Sequence, residues 1–190
     1  MKRIILTTTA ILLSIAAFGQ GIVNFSNASS TPGWANPTFD RYVRWGPFAA
    51  AYYPLLVPGD PVSSNYAGLN FTSLRAALYF APASNNDPNF VGYVPAAGGS
   101  ATFKASTSAT AGSWFGGNRT LDNIPPGTPA NLVVIVWDIS VSSDPLIGAA
   151  RGGGWGASDV FQYTPPDQST GAAVGIPDDW VNRVHLAGSP

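Results

Sequence analysis

The chain has 190 residues, enough for one domain with a substantial core and too few for two comfortable ones. It contains no Cys, which excludes disulfides, thiolate metal sites and lipoprotein attachment through a cysteine. Charged residues make up only 10% of the chain, which argues against nucleic acid as a partner, and 21 Gly with 17 Pro argue against long helices.

The first 19 residues have the pattern of a secretory signal peptide. A positive start, "MKR", precedes the apolar run "IILTTTAILLSIAAF", and Ala17 and Gly19 put small residues at both positions that a signal peptidase reads. The run is shorter than the roughly 20 residues that a membrane span needs, which favours cleavage over an anchor. We therefore expect Gln20 to be the first mature residue and residues 20–190 to form a single secreted domain. Its location would be periplasmic, cell-surface or extracellular, with no membrane contact after cleavage.

The mature part has the pattern of an all-β protein, with short apolar runs separated by Gly, Pro, Asn and Ser. The spacing of about eight strands predicts an antiparallel β-sandwich, jelly-roll-like, rather than a βαβ arrangement. The run "TSLRAALYF", residues 72–80, also admits a short helix, because Leu74, Ala77 and Leu78 have helical spacing. The glycine clusters "AAGGSA", "WFGGNR" and "RGGGWGAS" are predicted to be loops at sheet ends. The predicted strands are 21–27, 40–45, 74–82, 89–95, 100–107, 132–141, 159–165 and 180–187.

The stretch "IPPGTPANLVVIVWD", residues 124–138, predicts the central strand of the domain. Its three prolines lack amide donors, so they form the approach to the strand rather than part of the ladder. From Leu132 to Trp137 both faces are apolar, which is typical of a strand covered on both sides. We expect Trp137 to be a core residue.

Four stretches carry a family resemblance: "AAFGQGIVNFSN", "LRAALYFAPA", "IPPGTPANLVVIVWD" and "GWGASDVFQY". On them the chain resembles secreted proteins of Verrucomicrobia-type bacteria, many of which carry a C-terminal PEP-CTERM sorting signal. The resemblance implies a β-sandwich, export, and a surface or matrix setting linked to exopolysaccharide. It implies no known catalytic activity.

The chain departs from that family in two places. The given sequence ends at "VNRVHLAGSP" without the Pro-Glu-Pro sorting tail, so it is either truncated or belongs to a protein released without sorting. In such proteins the strand before "WD" usually alternates with polar residues, whereas Val133 and Ile135 are apolar here. We expect that face to be covered by another segment or by another protein.

Catalytic patterns are weak in this sequence. His185 is the only imidazole, and no Gly-x-Ser-x-Gly elbow occurs. Glycoside hydrolysis needs two carboxylates at a set separation, but the adjacent Asp178 and Asp179 are more simply a turn. A glycan hydrolase with an Asp-only acid/base pair is therefore the third-ranked hypothesis, and the sequence predicts no enzyme, no catalytic residue and no cofactor.

Two polar stretches supply oxygen atoms that could bind calcium. These are "SNNDPN", residues 84–89, and "DISVSSD", residues 138–144, and neither follows the twelve-residue calcium-loop pattern. Asn, Asp, Ser and Pro together are the usual composition of tight turns. We predict turns at both places and no metal site.

Aromatic residues provide the candidate binding site. Flat rings on loops can stack against the C–H faces of sugars while nearby polar groups bond the hydroxyls, although rings also fill the core of a disulfide-free sandwich. The first hypothesis is a non-enzymatic protein of the cell surface or exopolysaccharide matrix, with polysaccharide or matrix proteins as partners. The alternative is a carbohydrate-binding module with two or three coplanar exposed rings. The candidate glycan-binding residues are Trp34, Trp45, Tyr52, Trp114 and Phe115.

Overall fold

The elements formed by the described residues of the computed structural model are all β-strands. None of these residues belongs to a helix long and apolar enough to cross a membrane. The expected signal peptide lies outside them, apart from Gly19. The structure describes residues 19–27, 42–47, 54–147, 152, 154–166 and, for the backbone alone, 185–188.

Twelve strands are formed by the described residues, more than the eight that the sequence predicts. Several of the additional strands are only two residues long. The strands are β1 (Gly21–Ser26), β2 (Arg44–Trp45), β3 (Asn65–Tyr66), β4 (Leu69–Asn70), β5 (Leu74–Pro82), β6 (Val94–Pro95), β7 (Ala101–Thr102), β8 (Phe115–Leu121), β9 (Ala130–Asp138), β10 (Gly154–Ala157), β11 (Phe161–Tyr163) and β12 (His185–Gly188).

Eight of these strands form one large sheet, in the order β2-β12-β10-β9-β5-β6, with β11 also pairing β9 and β7 also pairing β5. β1 and β8 form a second sheet, and β3 and β4 form a short hairpin. The pairings are antiparallel except for β12 with β2, which is parallel. The prediction of an all-β, mainly antiparallel protein is confirmed.

The longest ladder joins β5 and β9, which pair over nine residues without a register shift, from Leu74 opposite Asp138 to Pro82 opposite Ala130. β9 has neighbours on both edges, because β10 and β11 pair with its other side. All nine of its residues are buried, and Trp137 is a core residue. The central strand is confirmed, and the helical alternative for residues 72–80 is wrong, because Leu74–Pro82 is a strand. The alternating side chains of β5 pack on two opposite faces, which a helix would not allow.

The main core lies between the large sheet and the β1–β8 sheet. Leu78 and Val134 project into it from the large sheet, and Val23, Phe25 and Leu121 project into it from the other side. All five side chains are at most 1% exposed. Two sheets that share one core in this way are consistent with a sandwich-like arrangement.

The opposite side of the large sheet, here called the outer face, is also apolar. Val133 and Ile135 lie on it and are fully buried. Phe90 and Tyr93 from one connection, and Leu146 from another, pack in the same cluster. Of the two expectations for this face, the structure supports cover by other segments of the same chain.

Two glycine clusters predicted to be loops contain strands, and the prediction is wrong for the residues concerned. Most of "WFGGNR" lies in β8, and Gly154–Ala157 of "RGGGWGAS" form β10, while part of that cluster lies outside the described residues. A Cβ built on Gly116 would lie 2.6 Å from Phe25 Cδ1 and 2.7 Å from Phe25 O. A Cβ on Gly154 would lie 3.1 Å from Leu74 Cδ2. These glycines therefore allow close approach between packed elements rather than a turn. The third cluster, "AAGGSA", does form a loop, in which Gly98 and Gly99 have positive φ.

Three other predicted strands are shorter than expected. Residues 89–95 contain only β6, because Phe90 N donates to Asp87 O and Tyr93 N donates to Phe90 O in successive turns. Residues 100–107 contain only β7, and residues 159–165 only β11. The predictions for 40–45 and 180–187 lie partly outside the described residues, which contain β2 and β12 there.

We predict that Gly116→Ala destabilises the fold by about 1–3 kcal/mol, because the new methyl group would overlap Phe25 in a packed core. Urea unfolding followed by tryptophan fluorescence measures the change. Gly152→Ala is the matched control: no atom of the described residues lies within 4 Å of a Cβ built there, so its effect should stay within about 0.5 kcal/mol. Equal effects of the two substitutions would contradict the close approach.

Candidate functional site

The outward side of the β1–β8 sheet carries the one exposed aromatic ring among the described residues. Phe115, the first residue of β8, has 67% of its surface exposed. Cross-strand pairs place Asn24 opposite Asn118 and Ile22 opposite Thr120, and these four side chains are exposed or half-buried. Paired residues share a face of a sheet, so the four form one surface beside the ring. We call Ile22, Asn24, Phe115, Asn118 and Thr120 the Phe115 surface.

A β-bulge determines where Phe115 lies on this surface. The register of the β1–β8 ladder shifts between Asn24 and Ser26, and Phe115 pairs with Ser26. Gly117, in the bulge, has a φ of 68°, a conformation that glycine adopts at little cost. A β-bulge changes the direction of the neighbouring side chains. Here the Phe115 ring beside the bulge is exposed to solvent.

The buried guanidinium of Arg119 fixes the bulge from the core side. Its Nε donates to Gly99 O at 2.8 Å, and its Nη1 donates to Asn118 O at 3.0 Å and to Gly116 O. The guanidinium carbon lies 5.3 Å from the centroid of the Phe25 ring. Burial lowers the pKa of Arg119. The Arg119 side chain thus contacts the loop at Gly99, strand β8 and Phe25 of β1. These contacts hold the strand face that carries Phe115 in a fixed position.

The Phe115 surface consists of one aromatic ring with the amide groups of Asn24 and Asn118 nearby. Asn24 and Asn118 each have an oxygen that accepts and a nitrogen that donates hydrogen bonds. Asn24 Oδ1 is buried and accepts no hydrogen bond from the described residues. None of the five side chains is charged. Such a surface can pack against an apolar face and bond neutral polar groups at its edge.

Two of the five candidate glycan-binding residues, Trp45 and Trp114, have buried rings. The expectation that a glycan could stack on them is therefore wrong. Trp45 is 3% exposed, with its ring centroid 5.1 Å from that of Phe71. Trp114 is 1% exposed, and its ring packs against that of Phe25 at 5.0 Å. Trp114 and Phe115 are consecutive in an extended segment, so their side chains point in opposite directions, one into the core and one outward.

The remaining candidates, Trp34 and Tyr52, lie outside the described residues. Of the predicted set, the described part of the chain therefore presents a single ring, that of Phe115. It forms no platform of two or three coplanar rings.

The outer face is covered by two connections, residues 83–94 and 138–147, which we call the outer loops. Side chains of the sheet anchor them by donating to loop carbonyls. Asn131 Nδ2 donates to Asn85 O at 2.7 Å, and Trp137 Nε1 donates to Ser142 O at 3.0 Å. Trp155 Nε1 donates in the same way to Pro145 O at 2.9 Å. These amide and indole groups therefore hold the loops on the sheet.

The outer loops also carry most of the exposed aliphatic side chains of the described residues. Sequence reasoning missed this surface, because these residues occur singly among turn residues and form no periodic pattern. The exposed aliphatic residues of the loops are Val91, Val94, Ile139, Val141 and Ile147.

The two stretches weighed as calcium ligands form turns, which confirms the turn prediction. Asp87 Oδ1 accepts from Asn89 N at 2.7 Å, and Asp138 Oδ1 accepts from Ser140 N at 2.9 Å. Both are local bonds from a carboxylate to the backbone two residues on, as in Asx-turns. Among the described residues, no group of three or more His, Cys, Asp or Glu side chains is placed to hold a metal ion. Asp178, Asp179 and the side chain of His185 lie outside them.

No family model matches this chain, and neither a curated protein nor a solved structure matches it. Its described geometry offers two surfaces of different chemistry. The Phe115 surface combines one ring with amide groups, whereas the outer loops present isolated aliphatic side chains.

Tyr79 on the outer face supplies a test of how tightly the outer loops cover the sheet. Burial, with a smaller contribution from the charge of Asp144, raises the pKa of Tyr79 from 10.0 to about 12. Because the folded state disfavours the phenolate, this contribution to stability is complete below about pH 10 and is lost as the pH rises towards about 12.

We predict that the unfolding temperature of the wild-type protein falls more steeply over this alkaline range than that of Tyr79→Phe, which has no phenol to ionise there. Thermal unfolding followed by circular dichroism at a series of pH values measures both. If the unfolding temperatures of the two proteins change in parallel with pH, ionisation of Tyr79 does not destabilise the fold. The outer loops would then not exclude water from this face.

Proposed function

We propose that this chain is an exported, non-enzymatic β-sandwich protein of the cell surface or exopolysaccharide matrix, and that it acts by direct contact with polysaccharide. The observation that carries the proposal is the Phe115 ring, 67% exposed beside Asn24 and Asn118 on a fixed strand face. Full burial of a Phe side chain stabilises a protein by about 1.5–3 kcal/mol. Because the Phe115 ring is mostly exposed, the free protein lacks most of this stabilisation. A partner that covers the ring would gain part of it.

The composition of the surface favours a sugar over other partners of similar size. The C–H face of a pyranose ring is apolar and flat, and it is bordered by hydroxyl groups that need hydrogen-bond partners. The Phe115 ring offers the flat apolar contact, and Asn118 at the edge offers a donor and an acceptor. Because the surface carries no charge, binding should depend only weakly on salt.

Export is supported by the signal-peptide pattern of residues 1–19 and by the position of the first strand. β1 starts at Gly21, directly after the expected first mature residue. Gly21 N donates to Ile124 O at 2.6 Å, and a Cβ at this position would lie 2.8 Å from Pro165 Cγ.

A non-enzymatic role is supported by what four of the described carboxylates do. Asp87, Asp138 and Asp144 each accept a hydrogen bond from a backbone N–H in their own turn. Asp60 accepts from the hydroxyl of Tyr66, which raises the pKa of that tyrosine. These groups stabilise loops, in contrast to a hydrolase pair, which would face a cleft.

A second candidate function, contact with a matrix protein, is favoured by the outer loops. Val91 is 67% exposed and Ile147 48% exposed, on loops that the sheet holds in place. Aliphatic side chains of this kind suit a protein surface better than a sugar, since they offer neither a flat face nor hydrogen bonds.

We predict that Phe115→Ala abolishes retardation of the protein in native gels that contain the recognised polysaccharide, because the stacking face is removed. Its stability should change by no more than about 0.5 kcal/mol, since the ring is on the surface. Phe115→Tyr keeps the ring and should keep the retardation. The measurement is a panel of gels, each cast with one soluble polysaccharide.

Val91→Ala is the matched control, because Val91 has the same exposed fraction as Phe115 and lies on the outer loops instead. It should be retarded like the wild-type protein. If no polysaccharide retards the wild-type protein, or if Phe115→Ala is retarded equally, glycan contact at this surface is refuted. Loss of retardation in Val91→Ala alone would move the contact to the outer loops.

A further inference from the structure

Gln20 occupies an unusual position for a first mature residue. It is exposed, and its side-chain amide makes no hydrogen bond with the described residues. The next residue, Gly21, is buried and already paired with Leu121 in the β1–β8 ladder. Gln20 is thus exposed to solvent, whereas the chain is held in the ladder from Gly21 onward.

We propose that Gln20 is a modification site and that the mature protein begins with pyroglutamate. This inference rests on the proposed export, because it needs cleavage after Gly19. Cleavage places a free α-amine on Gln20, three carbon–carbon bonds from its own side-chain amide carbon. The amine nitrogen attacks that carbon, a five-membered lactam forms, and the C–N bond to the side-chain nitrogen breaks. The nitrogen leaves as ammonia with a proton from the amine, so no oxidant or other co-reactant is needed.

The surroundings of Gln20 permit this reaction. Ring closure requires that the side chain turn back on its own backbone, and neither the side chain nor the backbone of Gln20 is part of a strand. A glutamine held in a ladder, or with its amide bonded to a neighbour, would have to break those contacts first.

The neutral product also suits its neighbours better than an ammonium group. Ile124 O accepts from Gly21 N, Pro165 packs on Gly21, and the backbone of Gly19 lies next to Pro126. None of these neighbours is a carboxylate, so an ammonium group on Gln20 would form no ion pair with them. A lactam carries no charge and keeps the Gln20 carbonyl as an acceptor.

The modification would protect a strand that has no spare residues before it. β1 contributes Val23 and Phe25, both fully buried, to the main core. An aminopeptidase that removed residues from an open N-terminus would reach core residues within a few cycles. A lactam has no free α-amine for such an enzyme to bind.

The test is to express the full 190-residue chain in a bacterium with a general secretion pathway and to collect the exported protein. Intact mass spectrometry and tandem sequencing of the N-terminal peptide identify its first residue. We expect the mass of residues 20–190 less one ammonia. Gln20→Asn cannot close a five-membered lactam in this way, so it should retain a free amine and be shortened by added aminopeptidase while the wild-type protein resists.

The possible results separate the two proposals. An exported protein that begins at Gln20 and keeps a free amine after storage at neutral pH overturns the modification and leaves export intact. A protein that keeps residues 1–19, or that begins elsewhere, overturns both the cleavage site and the modification. Equal aminopeptidase sensitivity of the wild-type protein and Gln20→Asn overturns the protective role.

Discussion

The nine-residue ladder between β5 and β9 is the interaction on which the rest of the molecule depends. It brings together two strands whose sequences are apolar on both faces, so it creates two hydrophobic surfaces at once. One surface is closed by the β1–β8 sheet and the other by the outer loops. Because side chains alternate along each strand, a shift of one residue in this ladder would exchange the two surfaces and disrupt both cores.

The two sides of the ladder are closed by different means. On the core side, strands cover strands, and close contact depends on glycines such as Gly116 that leave room for Phe25. On the outer face there is no second sheet among the described residues; irregular loops lie on apolar side chains instead. Their carbonyl groups would be poorly hydrated there, and the indole of Trp137 and the amide of Asn131 supply the missing donors. These polar side chains within an apolar face therefore make a loop cover possible.

The sequence was most informative where hydrophobic patterning and chain breakers agreed. The bounds of β5 coincide with the apolar run that ends at Pro82, and the prolines before Ala130 define where β9 begins. It was misleading where glycines occur inside strands, because a glycine that permits close packing cannot be distinguished locally from one that permits a turn. The candidate site failed for a related reason. Trp114 and Phe115 are equally aromatic neighbours, and only the register with β1 decides which of them enters the core.

The pairing of β1 with β8 has a kinetic consequence. Gly21 and Leu121 are neighbours in the ladder but are separated by about 100 residues of chain, so the loop between them must close before the main core can form. Contacts of such high sequence separation slow folding, and β1 must wait as an unpaired strand until β8 has been synthesised. For a chain that crosses a membrane unfolded this delay is useful. Under the proposed export, the translocation machinery would receive the N-terminal segment before the domain is able to fold around it.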